Sequence, residues 1–436
     1  MKARPVIFMA RSVAALLLMA GAGLAAKELS AATGAESRET GPRSLAWLPA
    51  DLPALPQQGP ALCPREYLTP AQGAALLGAA TAEFKDLAAW NDYAAVLRRK
   101  IQEGAGLQPW PVRTPLNAVV TSRRAFDGYS VENVRLETVP GVYACGNLYR
   151  PLHPTGLMPA VLTTHGHTVA IKEPADWARH GRFNEGVQRR AAILARMGAV
   201  VLTLDAFGNG DSLIQFGPEA HRHPETMTMQ LWNNLRALDF LSGLGGVDPK
   251  RLAVTGESGG ATQALLLTAL DERVAVSVPV VMVSSYFFGG CPCESGLPVH
   301  RSAEHFANNA MIAALAAPRP MLVVSDGKDW TKFTPDVEFP YLQSVYGLFG
   351  AKGKVANVHL PMEGHDYGPS KRIAMYQFMV DHLGLADDPA LRDESAVTIE
   401  TPQTLRCFAD ESSLPAGAKR DAAEAFVALM RLQPKD

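Results

Sequence analysis

Short runs of consecutive apolar residues recur along the middle of the chain: Ala160 to Thr164, Ala199 to Leu204, Leu252 to Thr255, Val276 to Val283, Met321 to Ser325 and Val355 to Leu360. Between them the apolar positions fall at helical spacing. Val187 to Met197 is one such stretch, stopped by Gly198. Leu231 to Leu241 puts Leu231, Leu235, Leu238 and Leu241 on one face, and Ala261 to Leu270 and Tyr376 to Leu383 follow. Unbroken apolar strands separated by helices predict a mostly parallel sheet covered on both faces. Just upstream, Tyr129 to Val139 and Val142 to Tyr149 alternate apolar and polar residues, the pattern of an antiparallel strand pair. Ahead of these, Thr69-Pro70 opens a helical stretch through Leu76, Leu77, Ala80, Phe84, Leu87 and Trp90, and a second helix near Asn91 to Glu103 ends at Gly104. The pattern divides the chain into 1–26, a Pro/Ala-rich lead-in and helical extension at 27–118, a main domain at 119–385, and a weakly patterned tail at 386–436 with a short helix at Ala422 to Leu432.

The first 26 residues carry Lys2, Arg4 and Arg11, then a short apolar core from Ser12 to Leu24, then Ala25 and Ala26. This is the layout of a secretory signal peptide. The apolar run is shorter than the roughly 20 residues a spanning helix needs, so cleavage and export to the periplasm or beyond are expected, with no remaining membrane attachment. Losing three positive charges takes the net charge from −2 to −5. With 41 basic and 43 acidic residues in 436, no charge excess points to a nucleic-acid partner. The 47% hydrophobic content fits a packed globular core, and no internal repeat is present. The five cysteines are Cys63, Cys145, Cys291, Cys293 and Cys407. An odd number leaves at least one unpaired within the chain. Cys291 and Cys293 are separated only by Pro292, with no second ligand pair close in sequence, which reads as a disulfide or buried thiols rather than a metal centre.

Candidate chemistry centres on Gly256-Glu257-Ser258-Gly259-Gly260, which lies between an apolar strand and a helix. That is the setting of a nucleophile elbow: a sharp turn flanked by small residues, with the Ser258 hydroxyl lifted over the sheet edge. His365, in Glu363-Gly364-His365-Asp366-Tyr367-Gly368 after the last strand, is the candidate base. Asp329, a few residues beyond the strand Met321 to Ser325, is the candidate orienting acid; Glu294, after the preceding strand, is the alternative, and Asp326 reads as a turn residue. The order Ser258, Asp329, His365 is nucleophile, acid, His. The Gly259 N–H and the His167 N–H of His165-Gly166-His167 are the candidate oxyanion donors. The two His of that turn make a poor metal site by themselves, so neither metal nor organic cofactor is expected. His153, His180, His221, His223, His359 and His382 read as surface or packing residues; His300 and His305, in an insert, are candidates to line a pocket. The loop Asp205 to Ser212 reads as a structural turn. Tyr286, Phe287, Phe288, Trp330 and Trp232 are candidates either to stack on a sugar or to pack.

Together these residues resemble the α/β-hydrolase superfamily over roughly Tyr129 to Leu383. Within it the chain resembles the bacterial secreted acetyl-xylan-esterase-like (dienelactone-hydrolase-related) enzymes, through Asp127-Gly128-Tyr129-Ser130-Val131-Glu132-Asn133, Gly146-Asn147-Leu148-Tyr149-Arg150-Pro151, the His165 turn, the elbow, Ala316-Ala317-Pro318-Arg319-Pro320 and the His365 loop. The resemblance implies a serine esterase that removes small acyl groups from carbohydrate, with a small-molecule or polysaccharide ester as substrate. Glucuronoyl esterases, a neighbouring group, carry Arg after the nucleophile; Gly259 stands there instead, which argues against that substrate. A peptidase of the prolyl-oligopeptidase type would need a large N-terminal propeller, and the segment before residue 119 is short and helical. An inactive hydrolase fold used for binding would be expected to lack Ser or His.

Overall fold

The computed structural model describes residues 47–55, 67–295 and 298–435. The expected signal segment 1–26, the lead-in up to residue 46, residues 56–66 and Cys63 lie outside the described residues. Nine strands form one sheet: β1 (Val119–Ala125), β2 (Tyr129–Val139), β3 (Val142–Pro151), β4 (Met158–Thr164), β5 (Val200–Leu204), β6 (Val247–Glu257), β7 (Val274–Val280), β8 (Met321–Asp326) and β9 (Val355–Leu360). Their order is β1-β2-β3-β5-β4-β6-β7-β8-β9. The first three strands and the β3–β5 pair are antiparallel, and every pairing from β5 to β9 is parallel.

The apolar runs of the parallel strands serve two cores at once. Ala160, Leu162, Leu252, Val254, Met321 and Val323 face one layer, and Val161, Ala253, Leu322 and Val324 face the other. Period-two side-chain alternation on a doubly covered strand makes every position apolar, which is why these strands stand out in the sequence. On the first face pack α1 (Pro70–Glu83), α2 (Leu87–Gly104), α4 (Thr226–Gly243), α5 (Gly259–Leu270), α6 (Glu338–Leu348) and α8 (Ala422–Met430). On the second pack α3 (Glu185–Arg196) and α7 (Pro369–Leu383). No helix among the described residues is long and apolar enough to cross a membrane.

The N-terminal helices break earlier than their spacing predicts. Thr69 caps α1 with a reciprocal Gln72 pairing. The chain then opens at Phe84, and Asp86, in extended conformation, caps α2 by accepting from the Ala89 N–H. Both helices join the core through Leu76, Leu77, Trp90 and Leu97, and the Tyr93 hydroxyl donates to the Phe306 carbonyl. Strand β1 has no apolar face, since six of its seven residues are exposed, so hydrophobic patterning could not find it. His300 and His305 lie inside the insert rather than on its surface. Both are buried, His300 against the Phe288 ring and hydrogen-bonded to Asn309.

The weakly patterned tail is held by polar contacts as well as by buried Val397, Leu405 and Phe408. Asn133 Nδ2 donates to the carbonyls of Thr404 and Arg406, and the Cys407 N–H donates to Asp211. Behind it sits a fully buried ion cluster. Arg182 Nε donates to Asp205 Oδ1 at 2.7 Å, Nη2 to Asp211 Oδ2 at 2.6 Å, and Nη1 to Asn147 and the Leu405 carbonyl. Burial acts to lower the Arg182 pKa, but Asp205 and Asp211 outweigh it and hold the guanidinium above its usual value. The Asp205–Ser212 turn is thus the anionic half of a buried pair. Arg182→Met should lower unfolding stability by about 3–5 kcal/mol in urea titrations, because it strands two buried carboxylates. A loss under about 1 kcal/mol would mean that water or a rearranged partner replaces the guanidinium.

Candidate active site

Strand β6 delivers the elbow. Ser258 sits between β6 and α5 at φ 55°, ψ −124°, a positive φ that a non-glycine residue adopts only under constraint. Its N–H donates to the Val280 carbonyl of β7, which ties the turn to the sheet. The elbow and the loop after β4 press together so closely that only glycine fits. A Cβ on Gly256 would lie 2.4 Å from Thr164 Oγ1, one on Gly260 2.7 Å from the His165 carbonyl carbon, and one on Gly166 2.6 Å from the Glu257 carbonyl. This crowding brings the His165–His167 turn beside Gly259. The Gly259 N–H, first in α5, has no intrahelical acceptor. The His167 N–H makes no hydrogen bond among the described residues.

The loops after β8 and β9 carry the acid and base candidates. His365 Nδ1 lies 2.7 Å from Asp329 Oδ2, and the other carboxylate oxygen accepts from the Thr331 N–H and hydroxyl at 2.5 and 2.6 Å. The Asp329 side chain is buried, and the His365 side chain is 31% exposed. Trp330 lies tilted against the imidazole at 4.3 Å between ring centroids and also stacks on Phe287 at 3.9 Å. Ser258 and His365 line one cavity of about 270 Å³, together with His167, Asn184, Arg190 and Tyr367. Its wall is polar and braced. Arg190 pairs with Glu257 at 3.0 Å and lies over the Tyr367 ring, whose hydroxyl is 2.7 Å from Thr255 Oγ1.

Among the described residues Glu294 makes no hydrogen bond or ion pair with His365. Its Oε2 accepts from the Gly290 N–H at 2.6 Å, and its Oε1 lies 4.0 Å from His167 Nδ1 on the side facing Gly259. Asp326 is more than a turn residue. It is fully buried, its Oδ2 lies 3.2 Å from Lys371 Nζ, and burial raises its pKa, with Asp329 adding to the effect. Lys371, also fully buried, donates to Asp366 and to the Gly364 carbonyl, and so holds the His365 loop from both sides. The sequence offered no signal for Lys371, whose role depends on a helix packing back under the loop. Tyr286, Phe287, Phe288 and Trp232 are all buried, which makes them packing residues. His180 and His221 are not isolated packing residues: they join His165 and His167 in one cluster. Burial pushes His180 down to about 3 and His221 down to about 4, with neighbouring His adding to both shifts.

No family model matches the chain. Among solved structures, Methylesterase BT1017 superposes with a TM-score of 0.76 at 40% identity, covering 85% of this chain and 81% of that one. This chain is an esterase of the α/β-hydrolase superfamily. A glucuronoyl esterase from Teredinibacter turnerae T7901 shares the esterase's fold, with a TM-score of 0.51 at 16% identity over 68% of this chain and 85% of that one. YtaP of Bacillus subtilis (strain 168), a protein named as a hydrolase, is 25% identical over 239 residues, 49% of this chain and 74% of that protein.

Proposed function

We propose that the esterase cleaves a small carboxylic ester on a carbohydrate by acyl transfer through Ser258, with His365 as base and Asp329 as its orienting acid. The observation that carries the reading is the Asp329–His365 hydrogen bond, with that imidazole opening on the cavity that also holds Ser258 at its elbow. His365 accepts the hydroxyl proton as Ser258 Oγ bonds to the ester carbonyl carbon. The oxyanion takes hydrogen bonds from the Gly259 and His167 N–H groups. The carbon–alkoxide bond breaks and the alcohol leaves with the proton from His365. Water then attacks the acyl-enzyme, giving its proton to His365 and returning the hydroxyl to Ser258.

A methyl ester is the favoured substrate, because the 40% identical relative is named a methylesterase. An acetyl ester is the second reading, favoured by the motifs shared with acetyl-xylan-esterase-like enzymes. Methanol and acetate release, measured side by side on methyl-esterified and on acetylated polysaccharides, separates them. Methanol should exceed acetate by at least about tenfold in kcat/KM. The reverse ratio selects the acetyl ester, and no release from either defeats the carbohydrate-ester reading. Export after cleavage at residue 26 completes the proposal, supported by the Lys2, Arg4, Arg11 and Ser12–Leu24 pattern. N-terminal sequencing of the exported protein should begin at Lys27, and an intact Met1 in that fraction would overturn it.

A further inference from the structure

Beside the catalytic cavity four side chains from three separate segments point their ligand atoms at one spot: His167, His221, Cys291 and Cys293, all within 4.8 Å of one another. The two His Nε2 atoms are 2.9 Å apart, and the Cys291 and Cys293 sulfurs lie 3.8 and 3.9 Å from His167 Nε2. A tetrahedral ion with N donors at about 2.0–2.1 Å and S donors at about 2.3 Å needs donor separations of roughly 3.3–3.8 Å. The nitrogen–sulfur separations at His167 are therefore close to that geometry before any ion is placed there, and the two imidazole nitrogens stand a few tenths of an ångström nearer than it needs. In the structure the two sulfurs are joined as a disulfide. We infer that these residues form a tetrahedral Cys2His2 site for a structural zinc ion when Cys291 and Cys293 are thiols.

The surroundings are those of ligands. His221 Nδ1 lies 2.7 Å from the Phe207 carbonyl, which fixes the proton on Nδ1 and leaves the Nε2 lone pair facing the cluster. Metal-bound imidazoles characteristically donate their other N–H to such a carbonyl or to a carboxylate. Glu294 Oε1 stands 4.0 Å from His167 Nδ1 in the equivalent position. The backbone holds His221 in place: a Cβ on Gly208 would lie 2.4 Å from the His221 nitrogen. A cavity of about 340 Å³, lined by His167, His180, Asn209, His221 and Cys291, gives an ion a route in.

Two thiolates and two neutral imidazoles suit Zn2+ in softness and in charge. Each thiol loses one proton to solvent as Zn2+ binds, and the assembled site is neutral. Four protein ligands leave no open position, so the ion is structural and does not touch substrate. Its ligands nevertheless bracket the oxyanion side of the pocket. His167 is the proposed oxyanion donor, and Cys293 precedes Glu294, which rests against Gly259. A zinc clip at this point would hold together the β4 loop and the insert that carries Glu294. The site itself is independent of the proposed hydrolytic mechanism.

The test is metal content by mass spectrometry. The full chain is produced with zinc and purified without chelator in the presence of a phosphine reductant. Wild type should carry one zinc per chain, whereas His221→Ala and the Cys291→Ser/Cys293→Ser double variant should each fall below about 0.1. Cys407→Ser, in the separate Cys145–Asp211–Cys407 cluster, should keep its zinc. Cobalt(II) substitution of wild type should give intense thiolate-to-cobalt bands, a readout that requires no variant to fold. Folded wild type without zinc or cobalt–thiolate bands overturns the inference. So does zinc retained in the double variant, and so does a Cys291–Cys293 disulfide that persists under the reductant.

Discussion

Ser258→Ala should reduce kcat/KM for ester hydrolysis by about 10⁵–10⁶-fold, the scale on which removing the nucleophile of a Ser–His–acid unit acts, while leaving the melting temperature unchanged. The loss is expected to be this large because the remaining groups cannot substitute for the hydroxyl. His365 would have no proton to take, and the two N–H donors would stabilise an oxyanion only for direct attack by water. The fold should tolerate the change. Alanine keeps the Cβ, so the positive φ at residue 258 persists with the same strain. Ser258→Gly separates the two roles of the position. It should be equally inactive but more stable by about 1 kcal/mol, since glycine adopts φ 55° without penalty. Fluorophosphonate labelling of wild type and its absence in both variants gives the chemical readout. An Ala variant that retains labelling or turnover would sink the assignment of Ser258.

The elements most visible in the sequence were those under the strongest physical constraint. Strands buried on both faces leave few polar positions, so Ala160 to Thr164 could be read directly; Val355–Leu360, a half-buried edge strand that carries Asn357 and His359, was still read with the bounds it has in the structure. The elbow was visible because a strand-to-helix turn this tight excludes side chains, and the Gly256 and Gly260 contacts show how little space there is. Strand β1 was invisible because six of its seven residues are exposed and it needs no apolar face. The ion cluster around Arg182 and the Lys371 support of the His365 loop were invisible for a different reason. Each joins charges far apart in the sequence, Arg182 with Asp211 for one, and no local pattern marks a buried charge that finds its partner only on folding. The His167–His221–Cys291–Cys293 cluster belongs to the same class. Reading Cys291 and Cys293 by their own spacing found no second ligand pair, because that pair arrives from two other loops.

The choice between two carboxylates can be decided by one substitution at each. Asp329→Asn should lower kcat by about 10⁴-fold, and the reason lies in which oxygen is pinned. Oδ1 accepts from both the Thr331 N–H and its hydroxyl, so an asparagine must keep its carbonyl oxygen there and turn its NH2 toward His365 Nδ1. Facing a donor, Nδ1 has to act as acceptor, and the imidazole proton moves to Nε2. In that tautomer His365 cannot take the Ser258 proton. Glu294→Gln changes nothing on His365: its bonded oxygen still accepts from the Gly290 N–H, and its other oxygen stands 4.0 Å from His167. Its effect on kcat should stay within about tenfold. Measured on the same ester under the same conditions, the two variants must therefore differ by roughly three orders of magnitude. If Glu294→Gln proves the more damaging, Glu294 is the orienting acid and the Asp329–His365 bond is only structural.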